Sequence, residues 1–509
     1  MTVTTGIDAG SDKLDRGVLS VAGVVVLGAI MSIVDVTVVS VALPTFQQKF
    51  DASYATVAWT MTAYTLALAT VIPITGWAAD RFGTKRLYLI SLALFVGGSV
   101  LCSLAWDIGP LIVFRALQGL GGGMLMPLGM TIMTRAAGPH RVGRVMAVLG
   151  VPMLLGPIGG PILGGWLIQA ATWHWIFLIN VPIGVVAFLT ALRVLPKDRP
   201  EPSESFDLLG MLLLSPGLAL FLYGVSSIPG AGTVAAAKVL VPALIGLALV
   251  VGFVVHALRK DHPLIDLGLL KNRNLTIAVV TLTLFSVAFM GAMLLLPSYF
   301  LQVRGQGTLN AGLLLAPQGL GAMLTMPIAG RLTDKIGPGK LVLAGIALIA
   351  IGLSVFTQVA ADSSYIVLLG GLFVMGLGMG MTMTPIMSAA LASLTNHQVA
   401  RGSTLMNIIQ QAAGSIGTAV MSVILTNQVL GSPAASAYSA VTQGGVPSNQ
   451  VPPDVLSQGQ SSLADAFGST YTVALVLIIL CVVPALFLPR RAIDPAVEQE
   501  KVRVPAAMH

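Results

Sequence analysis

Fourteen apolar runs, most of them about 20 residues long, follow one another along this chain of 509 residues. A run of that length lets an α-helix cross a hydrocarbon core about 30 Å thick, and the runs lack the ten-residue alternation of an outer-membrane barrel. Only 9% of the residues are charged, against about a quarter in soluble proteins. The sequence therefore predicts an all-α polytopic membrane protein with 14 transmembrane helices, at 17–43, 54–79, 86–106, 110–134, 143–168, 174–195, 207–227, 236–258, 275–300, 309–330, 341–360, 364–389, 401–426 and 468–488.

The basic residues are distributed unevenly between the two sides of these spans. If both termini are cytoplasmic, 23 of the 27 Lys and Arg lie in the tails and the cytoplasmic connections. Lys and Arg are enriched in cytoplasmic loops, so we predict a multi-pass protein of the bacterial cell (plasma) membrane with both termini inside. The same bias explains the net charge of +7 without a nucleic-acid partner. We expect a monomer in the lipid bilayer.

An internal repeat divides the chain. Residues 76–86 read GWAADRFGTKR and residues 330–340 read GRLTDKIGPGK, so both fit Gly-x3-Asp-[Arg/Lys]-x-Gly followed by a base. Copies at matching places in two six-helix blocks indicate parallel repeats, a known transporter architecture. We therefore predict a cytoplasmic N-tail (1–16), an N-terminal six-helix bundle (17–199), a linker with two inserted helices (200–272), a C-terminal six-helix bundle (273–489) whose extracytoplasmic loop (427–467) is a flexible spacer, and a cytoplasmic C-tail (490–509).

Several motifs together resemble one transporter family. Besides the repeated loop, span 4 carries LIVFRALQG (111–119), span 5 carries GVPMLLGPIGGPILGG (150–165), and two further stretches read DVTVVSVALP (35–44) and WHWIFLINVPIG (173–184). These are similar to motifs of the major facilitator superfamily, and the last two resemble its 14-span drug:proton antiporter branch, the EmrB/QacA-like group. Ser40 stands where that group usually has Asn, and His174 where Arg is common. The resemblance implies the major facilitator fold and an exporter.

One carboxylate lies among residues that otherwise belong in hydrocarbon. By our placement of the spans, Asp35 is the only acid within the membrane, where an ionised group costs several kcal/mol unless it is paired or protonated. Arg115 in span 4 lies at a comparable depth. Burial raises the pKa of a carboxyl group and a nearby guanidinium lowers it, so Asp35 and Arg115 are predicted to couple transport to protons. The alternative is a static ion pair that only maintains helix packing.

Two sets of residues are predicted to control the conformational change. Glycines at every fourth position of span 5 share one face and allow a close helix approach, which we interpret as a tight seam between the two halves, with small-residue packing alone as the alternative. The charged motifs at the helix ends are interpreted as latches that close the cytoplasmic side, with a solvated positive-inside loop as the alternative. The predicted gating residues are Gly76, Asp80, Arg81, Gly83, Arg86, Gly156, Pro157, Gly160, Gly164 and Asp334.

Isolated polar residues within the spans are candidates for the substrate cavity. Each could equally supply a hydrogen bond between helices. The methionines of spans 4 and 12 could serve a promiscuous apolar site, but we expect them mainly to face lipid. The candidate cavity residues are Tyr64, Gln118, Asn180, Gln318, Asn407 and Gln410.

These features favour a secondary transporter over other classes of membrane protein. The chain lacks the Gly-x4-Gly-Lys-[Ser/Thr] phosphate loop of an ATP-driven pump. Its two cysteines, Cys102 and Cys481, and its six histidines are scattered, so we predict no catalytic residues, metal site or cofactor. The leading hypothesis is a proton-coupled antiporter that exports small lipophilic compounds, neutral or monocationic, by alternating access. The alternative is export or flipping of an endogenous lipid or secreted metabolite on the same scaffold.

Overall fold

The apolar runs form helices, and the described residues contain no β-strand. The computed structural model describes residues 16–138, 141–197, 205–228, 233–395, 398–442 and 452–491. The helices are α1 (Arg16–Phe50), α2 (Tyr54–Phe82), α3 (Thr84–Ser103), α4 (Ile108–Ala137), α5 (Val142–Ala170), α6 (Trp175–Leu178), α7 (Asn180–Val194), α8 (Leu208–Ser226), α9 (Ala237–Arg259), α10 (Arg273–Gln302), α11 (Thr308–Leu314), α12 (Ala316–Ile336), α13 (Pro338–Thr357), α14 (Tyr365–Ala392), α15 (Val399–Leu430), α16 (Pro433–Thr442), α17 (Pro453–Leu480) and α18 (Val482–Ala485). A short 3₁₀ helix, Leu267–Lys271, precedes α10.

Thirteen segments in the described part of the chain are long and apolar enough to cross a membrane. In this set α6 and α7 count as one segment, as do α11 with α12 and α17 with α18. The remaining predicted span is α5, a continuous helix of 29 residues in which several side chains, including that of Pro157, lie outside the described residues. The all-α polytopic prediction is confirmed.

The two halves of the chain pack the same helix pairs. In the N-terminal half, α1 packs on α5, α2 on α4, α3 on α4, and α7 on α1 and α3. In the C-terminal half, α10 packs on α15, α12 on α14, α13 on α14, and α17 on α10 and α13. This one-to-one correspondence is what two six-helix repeats require. The inserted helices α8 and α9 pack on each other, and α8 also contacts α2 and α15.

Matching glycines end α2 and α12. Gly83 and Gly337 have φ angles of 89° and 86°, in a region that side chains with a Cβ rarely adopt. The next helix begins one residue later in both cases, at Thr84 and at Pro338. Both glycines therefore make the same tight turn between consecutive helices.

Helix α1 continues to Phe50, beyond the predicted end at residue 43. Pro44 removes one backbone donor, but the continuation is stabilised by aromatic packing. Phe46 contacts Trp173 edge-on, with ring centroids 5.6 Å apart, and Phe50 contacts the same indole at 5.5 Å. The sequence indicated the proline but not the aromatic partners that outweigh it.

The flexible spacer predicted at 427–467 is wrong where the structure describes it. Helix α15 runs on to Leu430, α16 covers Pro433–Thr442, and α17 begins at Pro453, whereas residues 443–451 lie outside the described part. The small residues of α16 let it pack closely on α17, where a Cβ at Gly459 would meet the carbonyl oxygen of Ala434 at 2.5 Å. Composition alone suggested a linker, but the segment buries one face.

Candidate functional site

A buried ion pair lies at the centre of the N-terminal half. Asp35 of α1 is 1% exposed and Arg115 of α4 is 0% exposed, and Arg115 Nη1 donates to Asp35 Oδ2 over 2.5 Å. The sequence singled out both residues by their charge, and the structure brings them into contact. Since neither charge reaches water, only surrounding protein groups replace its hydration.

Two amides and a hydroxyl complete the surroundings of the carboxylate. Gln118 Nε2 and Asn180 Nδ2 donate to Asp35 Oδ1 at 2.8 and 3.0 Å. The same two nitrogens donate to Ser99 Oγ, at 2.7 and 3.2 Å. With the guanidinium, Asp35 receives three donors, which matches an ionised carboxylate that can only accept.

Arg115 is held by groups on its other side. Its Nε donates to the carbonyl oxygen of Thr60 at 3.1 Å, and its Nη1 also donates to Gln118 Oε1 at 2.6 Å. The guanidinium carbon lies 4.3 Å from the centre of the Tyr64 ring, within cation–π range. The Tyr64 hydroxyl is 3.1 Å from Ser32 Oγ. The charge is therefore stabilised by α2 as well as by α1.

Three predicted cavity residues belong to this buried cluster. Tyr64, Gln118 and Asn180 are at most 2% exposed and contact the ion pair directly or through its partners. The alternative interpretation, hydrogen bonding between helices, describes their placement. All residues of the cluster lie in α1–α4 and α7, so it belongs wholly to the N-terminal half.

At the predicted cytoplasmic end, Asp80 joins the two halves. It belongs to the motif at the end of α2, and its Oδ2 lies 3.7 Å from Nε of Arg401, the third residue of α15 in the C-terminal half. Its Oδ1 lies 3.4 Å from Nη2 of Arg135 in its own half. A Cβ at Gly76 would meet the backbone carbonyl oxygen of Ala400 at 3.4 Å, so α2 and α15 touch almost backbone to backbone.

Asp334 makes the corresponding connection on the other side of the bundle. Its Oδ2 lies 3.7 Å from Nε of Arg144, the third residue of α5, and its Oδ1 accepts from the backbone N–H of Gly143 at 3.0 Å. A Cβ at Gly330 would meet the carbonyl oxygen of Gly143 at 2.6 Å. Two equivalent contacts, each an Asp on an Arg of the opposite half, thus close this end of the molecule.

The sequence found the acidic members of these contacts but not their basic partners. Arg81 and Arg86 of the predicted latch are exposed at the same end. Arg144 and Arg401 were assigned only to the positive-inside bias. Arg144 is the third residue of α5, and Arg401 is the third residue of α15, the corresponding helix of the other half. This matching position is a signal that inspection of the sequence could have used.

We predicted that the glycine face of α5 forms a seam between the two halves. In the structure it packs inside the N-terminal half instead. A Cβ at Gly156 or Gly160 would clash with the side chain of Ile33 or Thr37 of α1, and one at Gly164 would meet Val38 at 3.1 Å. The contacts of α5 with the other half use Gly143 and Gly150 instead. The reason is the helical repeat, which turns these two sets of glycines to different sides.

A cavity lies between the halves, above the closed end. Its volume is about 40 Å³, and it is lined by residues of α4, α5, α12, α14 and α15. Asn407 and Gln410, two of the predicted cavity residues, line it. Gln318 does not: it is 3% exposed, and its Nε2 lies 3.1 Å from Sδ of Met293.

Thioethers form most of the cavity wall, contrary to the expectation that the methionines of spans 4 and 12 face lipid. They come from both halves, and charged side chains are absent from the described lining. Helix position alone could not reveal this, because apolar residues lie on all sides of α4 and α14. The six methionines are Met126, Met130, Met146, Met326, Met383 and Met387.

A profile of the Major Facilitator Superfamily matches residues 25–418 of this sequence. The chain belongs to the major facilitator superfamily. It is 51% identical to the multidrug resistance protein B homolog of Mycobacterium tuberculosis, over 94% of this chain and 92% of that protein. It is 30% identical to the multidrug export protein EmrB of Haemophilus influenzae, over 79% of each. The chain is thus a multi-pass transporter, related to the EmrB-like members.

Solved structures of the superfamily share the fold. The human organic anion transporter MFSD10 superposes with a TM-score of 0.60 over 91% of this chain and all of that one, at 15% sequence identity. The proton:xylose symporter XylE covers 91% of this chain and 96% of its own, with a TM-score of 0.55 at 14% identity. The major facilitator fold predicted from the motifs is confirmed.

Proposed function

We propose that this superfamily member is a proton-coupled antiporter that exports lipophilic compounds, neutral or monocationic, as a monomer in the bacterial plasma membrane. The observation that carries the proposal is the buried Asp35–Arg115 pair with its two amide donors, inside the half whose helices also line the cavity. The names of the relatives support multidrug export as the physiological class. Protons are the second partner, and both termini are placed in the cytoplasm by the positive-inside bias.

The closed end corresponds to an outward-facing state in this proposal. The two Asp–Arg contacts lie on the side assigned to the cytoplasm, so a substrate in the cavity has no route back to it. Release of both contacts lets the halves rock apart at this end, as parallel repeats do in alternating access. Because each contact is partly buried, its loss changes the balance between states by more than a surface pair would.

The proton site and the cavity are joined by two helices. Helix α4 carries Arg115 and, about three and four turns further on, Met126 and Met130 of the cavity wall. Helix α5 carries Met146, and its Gly156 carbonyl oxygen accepts from Thr37 Oγ1 of α1 at 3.1 Å. A proton on Asp35 removes the attraction that holds α1 to α4. Since α4 and α5 both contact α1, both respond to the charge of Asp35.

The available driving force suits this task. A potential of 100 mV contributes about 2.3 kcal/mol for each proton that crosses. Each pH unit adds about 1.4 kcal/mol. One proton can therefore sustain a gradient of roughly tens to hundreds for a neutral substrate, since 1.4 kcal/mol corresponds to a factor of 10.

Transport in proteoliposomes tests the proposal. With an imposed pH gradient, Asp35→Asn is expected to lose uphill export of a lipophilic dye while it still exchanges the dye at equilibrium. Asp107→Asn is the control, because Asp107 also belongs to this region but only caps α4, with Oδ1 accepting from the Ile108 N–H. Uphill export by Asp35→Asn at the native rate would overturn the proposal.

A further inference from the structure

The two Asp–Arg contacts divide the boundary between the halves into two seams. The first seam is α2 against α15, closed by Asp80 and Arg401, and the second is α5 against α12, closed by Asp334 and Arg144. They are equivalent by the internal repeat, in which residue 76 of α2 corresponds to residue 330 of α12. The seams differ in what lies on their outer, membrane-facing side.

Helix α8 runs along the first seam for its full length. Near the closed end Phe206, which precedes α8, packs on Trp77 of α2 with ring centroids 4.5 Å apart. At the opposite end Tyr223 stacks on Trp59 of α2 at 5.6 Å. Between them Leu214 and Leu218 of α8 form an apolar cluster with residues of both seam helices, Ile72 of α2 and Leu405 and Ile408 of α15.

A buried carboxylate anchors α8 to α9. Asp207 precedes α8 and accepts from the Gly210 N–H at 3.0 Å, from Lys260 Nζ at 3.0 Å and from the Leu264 N–H at 3.0 Å, and it lies 2.9 Å from His256 Nε2. Burial opposes ionisation of Asp207, but these hydrogen bonds outweigh it and lower its pKa to about 2. The carboxylate therefore stays ionised, and α8 anchored, throughout the physiological pH range.

The corresponding face of α12 is open. Pro73 of α2 is buried, and its neighbour Ile72 packs on Leu214 and Leu218 of α8, whereas the repeat partner of Pro73, Pro327 of α12, is exposed. Leu320 and Leu324 are 60% and 57% exposed, although their partners in α2, residues 66 and 70, are half-buried. At equivalent positions of the repeat, the outer face of the second seam is therefore left uncovered by the described residues, whereas α8 covers the first seam.

The cavity begins directly behind the second seam. Gly150 of α5 and Met326 of α12 both line the cavity, and they also face each other across the seam, since a Cβ at Gly150 would meet Sδ of Met326 at 2.5 Å. Separation of α5 from α12 at this level therefore exposes the thioether wall to whatever lies outside. At the first seam the same movement would expose it only to α8.

We propose that the second seam is the lateral entrance through which lipophilic substrates dissolved in the cytoplasmic leaflet reach the cavity, and that α8 keeps the first seam closed to lipid. The inference rests on the proposed export function. It gives the two inserted helices a role, because they turn a symmetric pair of openings into a single entrance. It also defines the substrate class by its route, as compounds that partition into the bilayer before they are bound.

Carbene labelling from the lipid phase tests the entrance. The full-length protein in vesicles is photolysed with a lipid-soluble diazirine, and labelled positions are mapped by mass spectrometry, in the native chain and in Asp80→Asn/Asp334→Asn, which loses the acidic member of both contacts. We expect a several-fold gain of label in the variant at Met326 and Met146. We expect no gain at Ile72 and Leu405, which occupy the first seam. Equal gains at the two seams, or a gain at the first alone, would overturn the inference.

A second variant keeps the test independent of how the double variant folds. Met323, 37% exposed, lies one turn from Met326 on α12, and Met323→Trp narrows the entrance. Ile351→Trp is the matched control, on a 59% exposed position of α13 away from the seams. A several-fold rise in KM for a membrane-dissolved substrate is expected only for Met323→Trp, and equal KM values in both variants would contradict it.

The two proposals fail separately. Labelling reports access of lipid and needs no proton gradient, so a protein without proton-driven export can still show the one-sided pattern. Conversely, proton-driven export together with symmetric labelling would leave the proposed function standing and remove the lateral entrance.

Discussion

The two halves share their helix packing but differ in what their centres contain. The N-terminal half buries Asp35 and Arg115, whereas the described interior of the C-terminal half is uncharged and includes the stacked rings of Phe285 and Phe289, 5.1 Å apart. Identical packing therefore does not require an identical core. Among the described residues the buried ion pair belongs to the N-terminal half alone, so substitutions at matching places should have unequal effects in the two halves.

The largest expected effect breaks the charged centre. Arg115→Gln leaves the Asp35 carboxylate buried without its counter-charge, which costs about 3–5 kcal/mol of stability in comparable buried pairs. Thermal unfolding in detergent should show a large loss for this variant. Adding Asp35→Asn should restore much of it, because the double variant buries no unpaired charge. An equal loss in the single and double variants would show that the guanidinium contributes by packing alone.

The second prediction asks whether the shared packing is equally tight in both halves. A Cβ at Gly417 of α15 would clash with the backbone of Val287 in α10, whereas one at Gly160 of α5 would clash with the Thr37 side chain of α1. Overpacking typically costs about 1–3 kcal/mol, and backbone yields less readily than a side chain. Gly417→Ala should therefore lower the unfolding free energy more than Gly160→Ala does.

The chain provides matched controls for this pair. A Cβ at Gly159 of α5 or at Gly370 of α14 would meet no atom within 4 Å. Alanine there should be neutral or stabilise by up to about 1 kcal/mol, because glycine is a poor helix former. If Gly159→Ala were as damaging as Gly160→Ala, helix propensity rather than the approach of α1 would explain both results.

The third prediction concerns the inserted helices, which belong to neither half. Asp207 has its pKa lowered from 3.8 to about 2 in the folded protein, so the unfolded chain binds this proton more tightly. Its stabilising contribution is present above pH 4 and is lost as the pH falls towards 2. The difference in unfolding free energy between the native chain and Asp207→Asn should be constant from pH 5 to 8 and shrink below about pH 4.

Circular dichroism melts over that range would measure the difference. A histidine with a raised pKa would show the opposite pH dependence, because its contribution to the unfolding free energy would disappear as the pH rises. A native–variant difference that fell between pH 6 and 8 would therefore assign the anchor to His256 instead of Asp207.

Much of this comparison could be predicted from the sequence, because charge in an apolar run is visible without a structure. Asp35 and Arg115 were identified in this way, and the repeated motif identified Asp80 and Asp334. Their partners Arg144 and Arg401 could not be predicted with the same ease, since each pair joins opposite halves and depends on how the halves dock. An acidic residue at a helix end indicates that a contact exists, but not which helix provides it.

The cavity was harder to predict for a related reason. Polarity alone suggested Tyr64, Gln118 and Asn180, but a polar side chain in hydrocarbon is as useful to a neighbouring charge as to a substrate. The methionines that line the cavity carry no polar signal, and apolar residues lie on all sides of their helices. The inserted helices appeared as an interruption between repeats, and only their packing on α2 and α15 revealed a surface that they cover.

The smallest expected effect compares a buried amide in each half. Gln118 donates to Asp35, but Gln318 of α12 contacts only the thioether of Met293 among its described side-chain partners. Replacing an amide by an apolar group of similar shape is nearly neutral where no charge depends on it, so Gln318→Leu should change stability by less than about 1 kcal/mol. Gln118→Leu leaves the buried Asp35 carboxylate short of one donor and should lower the unfolding free energy by about 1–3 kcal/mol. Thermal unfolding in detergent would distinguish the two variants, and an equal loss in both would mean that the carboxylate does not depend on the Gln118 amide.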